Sequence, residues 1–252
     1  MSRPLVGFLL FCMVLGGIGG LVAWVVGPTL VALALDEEQR NQPYYLLHFS
    51  AVESGDREDY MRAYQEPMQH LVIADGGQLL WQGETLQLVE GSVRDEWTQV
   101  VLARFSRAAE FVQMITSSQF REISAANPVA RVVVGIREDP GDLAEDAVVV
   151  LYLFRLDETA EFQGMTRQMV NLDQYGGLIV WETPISVIAG EVEDWDQLIA
   201  LQFATAERAE SWLRDPASIT ERAIAKRNMQ QVVILLVRGS TLEPGGVAAH
   251  PE

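Results

Sequence analysis

The sequence is poor in the residues from which metal and disulfide sites are built. It has one cysteine, Cys12, and three histidines among 252 residues. A single cysteine excludes an internal disulfide framework, and no His/Cys cluster, HExxH motif or calcium loop occurs. Walker loops, GxGxxG loops after a strand and GxSxG motifs are also missing. The sequence therefore predicts no metal, no cofactor and no catalytic residue.

Positive charge is scarce as well. Lys and Arg together number 18 against 35 Asp and Glu, which gives a formal net charge of −17, and Lys226 is the only lysine. Binding to nucleic acid depends on clustered cations that contact phosphates. This acidic protein is therefore not expected to bind nucleic acid.

Charge of either sign is absent from residues 4–35, and residues 5–35 form an apolar run long enough to span a bilayer. Arg3 precedes the run and three acidic residues, 36–38, follow it. Because basic flanks stay in the cytoplasm, the pattern predicts a single-pass inner-membrane protein with a cytoplasmic N-terminus and a periplasmic body. Residues 5–34 would contact lipid.

Two details of the apolar run bear on its role. The pair Gly16 and Gly20 has the small-xxx-small spacing that favours close helix contact, and hence a protein partner in the membrane. Ala32-Leu33-Ala34 resembles a signal-peptide cleavage site, so cleavage is the alternative to a retained anchor. The run is longer than the usual apolar core of a signal peptide, which favours retention.

The rest of the chain repeats itself at a spacing of about 100 residues. Gly76-Gly77 and Trp81 correspond to Gly176-Gly177 and Trp181, and Phe105 corresponds to Phe203. Each copy is interpreted as strand, helix, two strands, helix, strand, although the region between the two helices divides into three strand segments, so that five segments are recognised in each copy. The predicted strands are 44–52, 78–81, 86–90, 99–105 and 131–136 in the first copy, and 148–154, 178–181, 185–189, 198–203 and 231–237 in the second. The predicted helices begin near Asp56, Ser106, Asp157 and Thr205.

This βαββαβ order is the ferredoxin-like plan. We therefore predict an α+β protein of two tandem ferredoxin-like units that pack sheet to sheet as an internal pseudo-dimer. Leu79, Val101 and Val133 are expected on the face between the sheets. The predicted boundaries are a membrane anchor and linker (1–43), a first unit (44–138), an acidic linker (139–146), a second unit (147–239) and a disordered tail (240–252).

A known family shares several of these features. Tyr60, Tyr64, Pro67, Gly76-Gly77 and Glu90-Gly91 in the first copy resemble the bacterial "domain of unknown function" family numbered 1330, of the dimeric α/β-barrel superfamily. The second copy departs from it, because Ala189 stands at the place of Glu90 and the two tyrosines lack counterparts. The resemblance implies a fold rather than a biochemical role.

A few residues merit attention as a site. His48 is expected to face the space between the two sheets, where Tyr64 or Glu90 would allow it to act as an acid or base. The alternative is a hydrogen-bonded histidine at a sheet interface. His70 is expected to be a surface residue, and Trp81 and Trp181 either fill the core or line a ligand cavity.

The absence of a catalytic set favours a non-enzymatic, membrane-anchored accessory or interaction subunit of a larger membrane assembly. The alternative is a small-molecule enzyme or ligand-binding protein of the α/β-barrel type that uses an intersheet cavity near His48.

Overall fold

The computed structural model describes residues 40–51, 61–91, 97–126, 131–136, 139, 143–144, 146–156, 169, 171–189 and 195–240. The strands are β1 (Tyr44–Ser50), β2 (Gly77–Glu90), β3 (Gln99–Phe105), β4 (Arg131–Ile136), β5 (Val148–Leu156), β6 (Leu178–Ala189), β7 (Gln197–Phe203) and β8 (Met229–Ser240). The helices are α1 (Glu66–Ala74), α2 (Ala108–Thr116), α3 (Ser118–Ala126), α4 (Ala206–Arg214) and α5 (Pro216–Ala225). A π-helical turn, Met61–Gln65, leads into α1.

The strands form one closed antiparallel barrel in the order β1-β3-β2-β8-β5-β7-β6-β4, so the chain has a mixed α/β fold. Within each half the strand order is the same, because β4-β1-β3-β2 corresponds to β8-β5-β7-β6. The halves are joined where β2 pairs with β8 and β4 pairs with β6.

The predicted breaks between 78–81 and 86–90, and between 178–181 and 185–189, are wrong, because each pair of segments is one long strand. The first part of β2 pairs with β3, and its second part pairs with β8 of the other half. In the same way β6 pairs first with β7 and then with β4. Bulges at Leu79/Trp81 and Ile179/Trp181 accompany the bending of these strands.

The barrel interior is filled by large apolar side chains from both halves. Leu47 and Trp81 of the first half lie in one buried cluster with Leu151 and Trp181 of the second. Trp97 and Trp195 meet across the halves edge to face, with ring centroids 5.4 Å apart. Trp81 and Trp181 therefore fill the core and do not line a ligand cavity.

The helices cover the outer face of the barrel, and this corrects the predicted facing of three strand residues. Leu79 and Val133 pack under the helices of the first half, in a cluster that contains Phe111 of α2. Val101 lines a pocket on the same outer face. Alternation along the strands correctly predicts which residues share a face of the sheet. It does not show which face lies under the helices, and the prediction assigned these three residues to the wrong one.

Helix α5 was not predicted, although the residues at its start are typical of a helix N-terminus. Asp215 is the N-cap, since its Oδ2 accepts a hydrogen bond from the Ser218 backbone N–H at 2.9 Å, and Pro216 occupies the first turn. This backbone hydrogen bond holds the pKa of the Asp215 carboxyl below its ordinary value. Helix α2 begins one residue later than predicted, with Arg107 rather than Ser106 as N-cap.

Several predictions fall on residues that the structure does not describe. They concern the apolar run 5–35 with Cys12, the helix starts predicted near Asp56 and Asp157, and the tail 241–252. Among the residues that are described, no helix combines the length and the apolar character needed to cross a membrane.

The two glycines after α1 are required for different reasons. Gly76 adopts a left-handed conformation, with φ at +85°. A Cβ on Gly77 would instead lie 2.7 Å from Val72 Cγ1 and 2.8 Å from Phe105 Cε1. In the second half the positive φ likewise falls on the first glycine of the pair, Gly176, and not on Gly177.

Gly77→Ala is expected to lower the free energy of unfolding by about 1–3 kcal/mol, the usual range for overpacking a filled core. Urea denaturation followed by circular dichroism measures this loss. Gly76→Ala is the informative companion, because it introduces left-handed strain of about 1–2 kcal/mol without a backbone clash. A Gly77→Ala protein as stable as the wild type would show that the β2 start has room to spare.

Candidate functional site

His48 lies on the outer face of the barrel, under the helices of the first half. Its neighbours in β1, Leu47 and Phe49, point into the barrel core. His48 itself lines a pocket on the opposite face. The prediction that His48 faces the space between the sheets is therefore wrong, because that space is filled by the packed interior of the barrel.

The pocket of the first half lies between the outer face of β1–β4 and helices α1–α3. Its volume is about 710 Å³, counted with the space that opens to solvent. Most described lining residues are apolar, and four are polar. The apolar ones are Leu46, Met68, Val72, Leu79, Val101, Ala103, Phe111, Met114, Ile115, Phe120 and Val133, and the polar ones are His48, Tyr64, Gln65 and Gln69.

A histidine–tyrosine pair lies in this pocket. Tyr64 Oη is 3.2 Å from His48 Nε2, and the two ring centroids are 5.7 Å apart. The phenol donates when the imidazole carries its proton on Nδ1, and it accepts when the proton is on Nε2. A histidine held in this way can give or take a proton near neutral pH, with its ring oriented by the second group.

Gln65 was not recognised in the sequence, although it lines the same pocket. Its side chain is only 5% exposed, and its Oε1 has no hydrogen-bond partner. A buried acceptor without a partner costs about 1–3 kcal/mol, so a position of this kind calls for an explanation. A ligand that donates a hydrogen bond to Oε1 would supply one.

The π-helical turn explains how Tyr64 and Gln65 both reach the pocket. The turn covers Met61–Gln65 and passes directly into α1, which begins at Glu66 with Pro67 in its first turn. π-helical turns alter the angular spacing of successive side chains and occur frequently at functional sites. No local sequence pattern predicts a π-helical turn, so the position of Gln65 in the pocket could not be predicted.

The pocket carries no formal charge among its described lining residues, apart from any proton on His48. That composition suits an uncharged ligand, since an ion would lose its hydration without gaining a partner. The part of the chain that the structure describes also contains no group of three or more His, Cys, Asp or Glu side chains able to hold a metal ion.

Two other candidates from the sequence lie elsewhere. Glu90 does not join His48 and Tyr64, because it forms an ion pair with Lys226 beside the second half. His70 is exposed on α1, as its position in the sequence predicted.

Three solved structures illustrate what the chain is similar to. A monooxygenase candidate from Fusobacterium nucleatum has a TM-score of 0.49 and 8% identity over 79% of this chain and 93% of its own. An anthrone oxidase-like protein has a TM-score of 0.48 and 11% identity, over 78% of this chain and 91% of its own. A monooxygenase candidate from Lactobacillus acidophilus NCFM has a TM-score of 0.46 and 12% identity, over 78% of this chain and 94% of its own. No curated protein matches the sequence.

The prediction of a non-enzymatic, membrane-anchored accessory subunit is corrected by these findings. The similar structures carry the names of enzymes or of an enzyme-like protein. The chain itself has a sizeable pocket beside a histidine–tyrosine pair, where an accessory subunit needs none.

The family resemblance is confirmed for the first half of the chain. The model of the family described as "Domain of unknown function (DUF1330)" matches residues 44–134. The match runs from the start of β1 into β4 and so includes His48, Tyr64 and Gln65. The second half lies outside it. The part of the chain that is similar to the DUF1330 family is therefore residues 44–134, which contain the histidine–tyrosine pair.

Proposed function

We propose that this protein binds a small, mostly apolar organic molecule with a hydroxyl group in the pocket of the first half, and that His48 exchanges a proton with that group. The observation that carries the proposal is the contact of His48 Nε2 with Tyr64 Oη inside an otherwise apolar pocket. Ligand pockets are typically apolar with a few convergent polar groups.

Each polar residue has a separate task in this proposal. His48 accepts the hydroxyl proton as a general base, and Tyr64 fixes the orientation of the imidazole. Gln65 Oε1 accepts a hydrogen bond from a second donor of the ligand, beside the hydroxyl, and thereby gains the partner that it lacks in the free protein. The apolar walls, among them Phe111 and Met114, exclude water and hold the body of the molecule.

We also infer that the chain consists of two tandem ferredoxin-like units that form an internal pseudo-dimer. The common strand order of the two halves supports this inference, as does their joining through β2 with β8 and β4 with β6. The units have diverged in chemistry, because Tyr152 stands in β5 where His48 stands in β1.

Binding and excited-state proton transfer of 2-naphthol test the role of His48. Excited 2-naphthol is a strong acid, and in an apolar pocket its naphtholate emission requires a neighbouring base. We expect naphtholate emission from the complex with the wild-type chain, and neutral-naphthol emission with His48→Gln. Loss of one hydrogen bond should weaken binding only about two- to tenfold. His70→Gln, which changes an exposed histidine, is the matched control.

Gln65→Met separates binding from stability. The substitution replaces a buried amide without a partner for its Oε1 by an apolar side chain of similar size, so the free protein should gain up to about 1 kcal/mol. Affinity for 2,7-dihydroxynaphthalene, whose second hydroxyl can donate to Gln65, should fall because the acceptor is lost. Affinity for 2-naphthol, whose single hydroxyl proton goes to His48, should stay near the wild-type value. Equal affinities for 2-naphthol and naphthalene, or naphtholate emission that survives His48→Gln, would refute the proposed function.

A further inference from the structure

The second half of the barrel has a pocket of its own. It lies on the outer face of the sheet, against α4 and α5, and its volume is about 420 Å³, counted with the space that opens to solvent. The described lining residues include Tyr152, Trp212, Arg222 and Ile234. Neither His48 nor any other residue of the proposed site in the first half takes part.

Tyr152 occupies the place that His48 has in the first half. Tyr44 pairs with Phe105 and Val148 pairs with Phe203, so that His48 and Tyr152 each lie four residues further along equivalent strands. Tyr152 is only 3% exposed, and its Oη makes no hydrogen bond of good geometry, although the Arg222 side chain is close enough to donate to it. Burial raises the pKa of this phenol, although the charge of Arg222 opposes the shift. At neutral pH the hydroxyl therefore keeps its proton and can donate it to a hydrogen bond.

Arg222 points a second unused donor into the pocket. Its Nη2 donates to the Leu213 carbonyl oxygen, and its guanidinium lies over the Trp212 ring at 5.6 Å. These contacts fix the orientation of the planar group. Its Nη1 is buried and has no hydrogen-bond partner. A buried cationic donor of this kind is costly unless an anion or an acceptor meets it.

The other charges around the pocket limit what the anion can be. Glu90 is paired with Lys226, which is partly exposed, and Glu221 adds a further carboxylate. Arg222 thus offers a single charge beside two acidic residues, which disfavours a dianion. Met169, Trp212 and Ile234 supply apolar surface for the rest of the molecule.

We propose that the second half binds a monocarboxylate with a small apolar body, and that its carboxylate lies between Tyr152 Oη and Arg222 Nη1. Arg and phenol donors are the groups that proteins use to hold a carboxylate by charge-assisted hydrogen bonds. The ligand would satisfy both buried donors at once. This site does not depend on the function proposed for the first half.

Benzoate is a suitable probe, with benzamide as its neutral counterpart. Saturation-transfer NMR on the full-length chain should show saturable binding of benzoate, at least about tenfold tighter than that of benzamide. Arg222→Gln should weaken benzoate binding at least about tenfold, and Tyr152→Phe about three- to tenfold. Arg214→Gln, an exposed arginine of α4 paired with Glu210, should leave it unchanged.

Three outcomes would overturn the site: no saturable benzoate binding at millimolar concentration, equal affinity for benzamide, or binding that survives both substitutions. If Arg222→Gln fails to fold, Tyr152→Phe still decides, because it keeps the ring and removes only the hydroxyl. His48→Gln distinguishes the two halves. Benzoate binding lost through His48→Gln, and retained by Tyr152→Phe, would assign it to the first pocket and refute the second.

Discussion

Leu47→Ala is expected to destabilise both halves of the barrel together, by about 2–5 kcal/mol in the free energy of unfolding. Leu47 is fully buried in β1, and the cluster around it contains residues from both halves, among them Leu151 and Leu235. Removal of its methyl groups leaves a cavity in a shared interior. Urea denaturation should therefore show one transition, shifted to a lower midpoint.

Hydrogen exchange measures how far the effect of Leu47→Ala extends. Amides of β5 and β8 lie in the other half, yet we expect them to exchange faster in the variant together with those of β1. The reason is that β2 pairs with β8 and β4 pairs with β6, so neither half has a closed sheet of its own.

Leu178→Ala is the matched control for this experiment. Leu178 lies in β6 and is 63% exposed, so the same substitution should change the free energy of unfolding by no more than about 0.5 kcal/mol. A Leu47→Ala variant in which β5 and β8 keep their wild-type protection would contradict a shared core and would instead indicate two halves that unfold separately.

The predicted strand bounds are most accurate where a strand pairs with the same neighbour along its whole length. The bounds of β3 and β4 agree with the prediction, because short apolar runs with clear ends mark them. β2 and β6 were each divided in two, since a strand that changes partner at a bulge looks locally like a hairpin. Pairing between distant segments is not encoded in local periodicity.

Only some residues of the candidate site could be predicted from the sequence. Strand alternation predicted that His48 and Leu47 lie on opposite faces, and the pairing of His48 with Tyr64 was considered. Which face meets the helices depends on barrel closure, and closure depends on contacts between halves. Gln65 and Tyr152 carry no motif at all, and the equivalence of Tyr152 with His48 follows from the strand pairing and not from the sequence repeat of about 100 residues.

The two pockets differ in size because equivalent positions hold different side chains. The seventh residue of α2 is Met114, and the seventh residue of α4 is the larger Trp212. On the strand below, Ala103 lies two residues before Phe105, whereas Leu201 lies two residues before Phe203. The pocket of the first half is larger because the residues at both positions are smaller.

Ala103→Leu is therefore expected to block the pocket of the first half with a residue that the second half already carries. Leu201 is fully buried, which shows that leucine fits this position of the strand. The added side chain would enter the space that the proposed ligand needs. Affinity for 2-naphthol should fall about ten- to hundredfold, as expected for about 1–3 kcal/mol of overlap.

Stability distinguishes a blocked pocket from a damaged core. Ala103→Leu should leave the midpoint of urea denaturation near the wild-type value, because the added carbon atoms enter open space. Ala209→Leu, on the fully buried face of α4, should instead cost about 1–3 kcal/mol. Unchanged naphthol affinity in a well-folded Ala103→Leu protein would place the ligand outside this pocket. Equal destabilisation by the two substitutions would mean that the space beside His48 is already filled.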